Sequence, residues 1–291
     1  MGSQEGSSAI TIGVLALQGA FNEHVQLLRE AAQILATKDI IQRTWTFKEI
    51  RNKPELDSCD ALIIPGGEST AISLVAQRCN MLEPLRDFVK VIRKPTWGTC
   101  AGLILLAEAA NATKKGGQEL IGGLDVRVNR NHFGRQIESF QADLNLPFLQ
   151  QADGKDFDTS QKPFRAIFIR APIVEKVLPH VSGAQTGQAS LDETVTAPSR
   201  TIDENVAKGI KLADVEIMAT LPGRAAAVQD DKKEKLDAEA GDIIAVRQAN
   251  VFGTSFHPEL TGDPRIHVWW LEQVSEAVDR RRALAAETAE S

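Results

Sequence analysis

The chain has 291 residues, 43% of them hydrophobic and 25% charged, enough to bury a full core at a size between one large domain and two. Its 33 Lys and Arg against 39 Asp and Glu leave a formal charge of −6 with no basic cluster, which argues against nucleic acid as a partner. No apolar run reaches the roughly 18 residues of a membrane span, the opening MGSQEGSSAI lacks the regions of a signal peptide, and Gly6 breaks the myristoylation pattern, so a cytoplasmic protein without membrane contact is expected.

Residues 1–9 are expected to be a disordered lead, 10–280 a single domain and 281–291 a polar tail. AITIGVLAL (9–17) is a strand-length apolar run. It precedes AFNEHVQLLREAAQILA (20–36), where Phe21, Val25, Leu28, Ala32 and Leu35 recur at helical spacing. IIQRTW (40–45) reads as a second strand and DALIIPGG (60–67) as a third, stopped by Pro and two Gly. STAISLVAQRC and LEPLRDFVKVIRK read as helices, KPTWGTC as a short strand and AGLILLAEAA (101–110) as the helix that follows it. Strand and helix in alternation, with apolar rather than alternating strands, predict a doubly wound α/β fold on a mostly parallel sheet.

The second half changes texture. LIGGLDVRVNRN, RQIESFQADL, FRAIFIRAPIVEKV, VEIMATLPG, RAAAVQ, DIIAVRQ and NVFGTSF read as further strands, many at hairpin spacing, which adds antiparallel strands to the plan. PRIHVWWLEQVSEAVDRRRALAAE is a closing helix. Residues 181–213, rich in Gly, Ser, Thr and Asp, and the charge run 230–242 read as loop insertions.

Three cysteines, Cys59, Cys79 and Cys100, are odd in number and about 20 residues apart without CxxC pairs, which rules out a disulfide framework and argues against a metal site. No cofactor is expected. GTCAG (98–102) has the form Gly-x-Cys-x-Gly, the thiol counterpart of a nucleophile elbow on a strand-to-helix turn. The following helix start points its positive end and its unused N–H groups at the sulfur, favouring thiolate and a developing oxyanion. The plainer alternative is a small apolar residue filling a core.

A thiol nucleophile needs a base, and the base an orienting group. His24 lies within a helix, His180 in a loop beside Pro179 and His267 in the last helix, so surface or packing is the default reading for each. His132 lies in the loop NRNHFGRQ. His257 differs: it ends a strand and precedes Pro258 and Glu259, and residues two apart in extended chain face one way, so Glu259 is placed to fix the imidazole.

PGGEST, GTCAG and a late HPE, in that order, resemble the class I, triad-type glutamine amidotransferases. IGVLALQGAFNEH, LIIPGGEST, GTCAGLILLA, RNHFGRQIESF, FIRAP and GTSFHPELTGD together look like the glutaminase subunits of pyridoxal 5′-phosphate synthase, over most of residues 10–180 and 243–275. The insertions depart from the compact members of that group. The resemblance implies that Cys100 attacks L-glutamine to form a thioester, His257 moves the proton and Glu259 orients it. It implies an oxyanion hole from Ala101 and the Gly66-Gly67 loop, and substrate contacts at Gly67, Glu68, Ser69, Arg130, Ile169 and Arg170. Read locally, Glu68 is a helix-start carboxylate and Ser69 an N-cap. The implied partner is a (β/α)₈-barrel synthase subunit that takes the ammonia, docking around QGAFNEH (18–24), where Gln18-Gly19 also reads as a plain turn. Rival readings are an amidotransferase for a different synthase, a cysteine-elbow hydrolase or chaperone, and a scaffold subunit without chemistry.

Overall fold

A computed structural model describes residues 9–38, 43–111, 118–130, 139–150, 162–179, 194–202, 214–221 and 241–290. His132, His180, RAAAVQ and most of the two expected insertions lie outside the described residues.

A strand that is apolar at successive positions needs cover on both faces, and β1 (Ile10–Leu15) receives it. Ile10, Ile12 and Val14 enter one core with Val25, Leu28 and Leu35 of α1 (Phe21–Thr37), while Leu15 enters the other. The second strand comes later than 40–45: β2 spans Trp45–Ile50. It pairs only with β1, at the end of the sheet, and only its Ile50 is fully buried, so an apolar run was a misleading marker for an edge strand. α2 (Lys53–Asp57) starts at Asn52, whose side chain accepts the Glu55 N–H at 3.0 Å. β3 (Ala61–Ile64), α3 (Ser69–Arg78) and α4 (Leu82–Arg86) follow. A π-helical turn at Asp87–Val91, closed by Ile92 N–H on the Asp87 carbonyl at 2.8 Å, interrupts the single helix expected over 82–94.

β4 (Thr96–Thr99) leads into α5 (Ala101–Leu106). The run 101–110 is not one helix, because Ala107–Asn111 forms β5. Residues 101–107 are all buried, so no polar face marks where helix gives way to strand. The partner decides: Ala109 and Ala110 pair with Arg127 and Val128 of β6 (Leu124–Asn129).

The remaining elements are β7 (Ser139–Leu144), α6 (Pro147–Gln150), β8 (Phe164–Ile169), β9 (Ile173–Val177), β10 (Thr194–Thr196), β11 (Glu216–Leu221), β12 (Asp242–Gln248), β13 (Val251–Thr254), a 3₁₀ turn at Pro258–Leu260 and a C-terminal helix, Arg265–Glu290. That helix carries the polar segment after residue 280 onward as helix to Glu290, in keeping with its Ala, Arg and Glu content. β10 falls inside the stretch expected as an insertion and pairs antiparallel with β5.

Eleven of the described strands form one sheet in the order β10-β5-β6-β9-β12-β13-β4-β3-β1-β2, with β11 beside β12, and β7 and β8 pair antiparallel in a separate two-stranded sheet. β2, β1, β3, β4 and β13 are mutually parallel neighbours, and β5 is parallel to β6. β12 runs antiparallel to β13, β9 and β11. The doubly wound α/β plan with added antiparallel strands therefore holds. One core gathers α1, the C-terminal helix and the β7–β8 pair against the sheet; the other gathers α3, α4 and α5. Among the described residues no helix is long and apolar enough to cross a membrane.

Candidate active site

β1, β3, β4 and β13 run the same way, so their carboxyl ends open along one edge of the sheet, where α/β sheets bind ligands. β3 ends into Gly66 and Gly67, β4 into Cys100, and β13 into His257. Blocks far apart in sequence meet there because the strands that carry them are hydrogen-bonded neighbours.

Cys100 sits at a strained corner, with φ 47° and ψ −98°. Its N–H donates to the Thr254 carbonyl at 2.8 Å, which ties the corner to β13. The flanking glycines are required by contact: a Cβ on Gly98 would lie 2.5 Å from the Gly102 carbonyl carbon, and one on Gly102 would overlap the Ile64 carbonyl. The side chain is 5% exposed, with Sγ 3.8 Å from the Ile169 carbonyl oxygen.

His257 Nδ1 lies 2.8 Å from Glu259 Oε1. The two meet as expected, though through a different local geometry: Glu259 lies in the 3₁₀ turn that His257 caps, not in an extended strand. The His257 N–H donates to the Ile167 carbonyl at 2.8 Å, so β8 also fixes this segment. Burial pulls the imidazole pKa down, but hydrogen bonds and charge interactions with Cys100 and Glu259 outweigh it and push it up to about 10. The sulfur and the carboxylate together favour the charged form of the ring. A side chain at Gly66 would overlap this ring.

The loop after β3 has its own bracing. Glu68, not Ser69, is the N-cap of α3: its carboxylate accepts from Thr70 N–H at 3.0 Å and Ala71 N–H at 2.5 Å. A carboxylate one residue earlier reaches two of the helix's orphan donors, which leaves the Ser69 hydroxyl to donate to Gln118 Oε1 at 3.2 Å. Gln18 Oε1 accepts from the Glu68 N–H at 2.9 Å, joining the β1 and β3 loops next to Gly67. Arg130 is 5% exposed; burial pulls its pKa down to about 10 against the opposing charge of Glu68. Ile169 reaches Cys100 through its carbonyl rather than its exposed side chain, and Arg170 follows it in a positive-φ turn, φ 44°.

Two histidines given only a surface or packing role belong to this cluster. His24 Nε2 lies 3.4 Å from Glu259 Oε2 and 3.2 Å from Thr99 Oγ1, and His24 Nδ1 is 3.0 Å from His267 Nε2. Both are fully buried. The sequence held a signal for His24: it is one turn before Leu28 on the buried face of α1, where an imidazole demands a polar partner. Among the described residues no group of three or more His, Cys, Asp and Glu is arranged to hold a metal ion.

The sequence model of the SNO glutamine amidotransferase family matches residues 14–200 and 205–276. A protein of Arabidopsis thaliana named probable pyridoxal 5′-phosphate synthase subunit PDX2 is 39% identical over 274 residues, spanning 92% of this chain and 87% of its own length. The pyridoxal 5′-phosphate synthase subunit PdxT of Nocardia farcinica is 37% identical over 277 residues, 95% of this chain and 91% of that protein. Among solved structures, a crystal structure of a glutamine amidotransferase superposes with a TM-score of 0.58 at 31% identity, covering 91% of this chain and 98% of its own.

Proposed function

The chain belongs to the SNO glutamine amidotransferase family, and from that premise we propose how its residues release ammonia from L-glutamine for a pyridoxal 5′-phosphate synthase partner. With its proton transferred to His257, Cys100 Sγ attacks the side-chain amide carbon of glutamine, and the carbonyl electrons move onto oxygen. The N–H of Ala101, first residue of α5 and without an intrahelical acceptor, and an N–H of the Gly66-Gly67 loop receive that oxyanion. His257 passes its proton to the departing amine, leaving a γ-glutamyl thioester, and then takes a proton from the water that cleaves it. Glu259 holds the imidazolium throughout.

Glutamine carries an ammonium and a carboxylate beyond the reacting amide, and Glu68, Ser69, Arg130, Arg170, Gly67 and the Ile169 backbone supply groups of both kinds around the site. The observation that carries the reading is His257 between Cys100 and Glu259, 2.8 Å from the latter, with the cysteine forced into a positive-φ elbow. Free ammonia at neutral pH is mostly protonated and useless as a nucleophile, so its consumer must be docked. We take that consumer to be a (β/α)₈-barrel subunit resting near the β1–α1 turn, and the complex to be cytosolic.

The test is ammonia release by Cys100→Ala, measured with the synthase subunit present. Release should vanish while the melting temperature holds. Retained release would remove Cys100 from the chemistry.

A further inference from the structure

Glu259 Oε1 is engaged by His257, but among the described residues no well-aligned hydrogen-bond donor serves its other oxygen, Oε2, in a residue 4% exposed. A buried carboxylate oxygen without a donor is costly and lets the group rotate. A donor atom that faces it is His24 Nε2, at 3.4 Å. On the far side of that ring, Nδ1 faces His267 Nε2 at 3.0 Å, and His267 Nδ1 is buried with no hydrogen-bond partner.

These contacts select one tautomer for each ring. If His24 carried its proton on Nδ1, a lone pair would face Glu259 Oε2. His267 would then have to accept at Nε2 and bury an unsatisfied N–H at Nδ1. If His24 carries it on Nε2, the N–H points between Thr99 Oγ1 and Glu259 Oε2, Nδ1 accepts from His267 Nε2–H, and only an imidazole lone pair stays unmatched. The second arrangement leaves no buried donor stranded. Burial, then the charges of His267 and His257, hold His24 well below its usual pKa, and burial draws His267 down to about 3, so both rings stay neutral. Edge-on packing against Trp97, with ring centroids 5.5 Å away for His24 and 4.9 Å for His267, fixes the planes of both.

We propose that His24 is a positioning residue for the reaction: its Nε2–H locks the second oxygen of Glu259, with His267 fixing its tautomer, so that Glu259 keeps His257 aimed at Cys100. The line of contacts runs from the C-terminal helix through α1 to the sulfur, and the orientation of the triad thereby depends on where α1 sits.

The proposal rests on the glutaminase reading, and the test separates the two. Ammonia release from glutamine is measured, with the synthase subunit present, for the parent chain, His24→Leu, His24→Asn and His24→Gln, alone and in a Glu259→Gln background. Gln can place a donor where Nε2 stands; Asn reaches only the Nδ1 position, and Leu supplies none. Leu and Asn should lower kcat about ten- to a hundredfold with KM for glutamine unchanged, and Gln should restore most of it. In the Glu259→Gln background His24→Leu should cost less than about twofold more, because the two act as one unit. Equal losses in both backgrounds, or Gln no better than Asn, would overturn the role; should Leu fail to fold, the Asn and Gln pair decides alone. A parent chain that releases no ammonia defeats the glutaminase reading itself, whereas an active parent with unimpaired Asn and Leu variants defeats only His24.

Discussion

Lys90 and Glu108 also withdraw a charged pair from water, though Glu108 less completely than Glu259, and the two places are built differently. The Lys90 ammonium has three donors and three acceptors around it: Glu108 Oε1 at 2.8 Å, Oε2 at 2.9 Å and the Pro198 carbonyl at 2.7 Å. Glu108 also accepts the Gly123 N–H at 2.8 Å, and although burial still raises its pKa, Lys90 opposes the shift. Every proton there has a fixed destination. At the sheet edge, by contrast, Cys100 sits in a strained turn, Glu259 holds one oxygen against a distant donor, and His257 carries a proton shared between two neighbours. A saturated buried pair has nothing left to exchange with a substrate; an incompletely matched one has a proton to give and a sulfur to offer. Burial alone does not identify a site, and the residual capacity of its groups does.

The sharpest break of this contrast is His257→Asn, which removes the mobile proton. It should lower turnover by about 10⁴- to 10⁶-fold, the scale seen when members of one catalytic unit are removed. A kinetic loss below tenfold per folded molecule would place the base elsewhere. Lys90→Met breaks the other side. It leaves Glu108 buried without its cation and should cost about 3–5 kcal/mol of stability in denaturant titration. Turnover per folded molecule should be unaffected. Adding Glu108→Leu should recover most of the loss, because an apolar pair no longer asks for a charge.

The mildest probe is pH. The His257 pKa lies above the ordinary 6.5, so the protonated ring contributes to stability fully below about 6.5 and that contribution fades as pH climbs through about 10. Activity that needs the imidazolium should fall over the same upper range. Glu259→Gln removes a negative neighbour and should move that falling limb down by about one unit or more. A limb that stays in place would mean that the carboxylate does not set the charge on His257.

How much of this was legible before the fold depends on the kind of residue. Gly98, Cys100 and Gly102 announce an elbow because each is tied to its neighbours within one turn of chain. His257 and Glu259 announce a pair for the same reason, although the turn that joins them is 3₁₀ rather than extended. The N-cap of α3 was misassigned by one residue, since Glu and Ser both cap and only the loop's path shows which side chain reaches Thr70 and Ala71. The run 101–110 was ambiguous for want of any polar face, and β2 was sought in the wrong place because an edge strand needs little apolar surface. His24 and His267, 243 positions apart, had no shared local signal at all.

What the sequence determined by itself was the alternation of strands and helices, the glycine-flanked thiol and the His-Pro-Glu turn, all properties of short segments set by local sterics and apolar patterning. What only the tertiary structure decided was that these segments end on the same edge, that a fully buried helix gives way to a strand at Ala107, and that an imidazole from α1 faces the carboxylate behind the base. Those facts depend on which strands pair and which helices cross, and such choices are made by the packing of the whole core rather than by any stretch of chain within it.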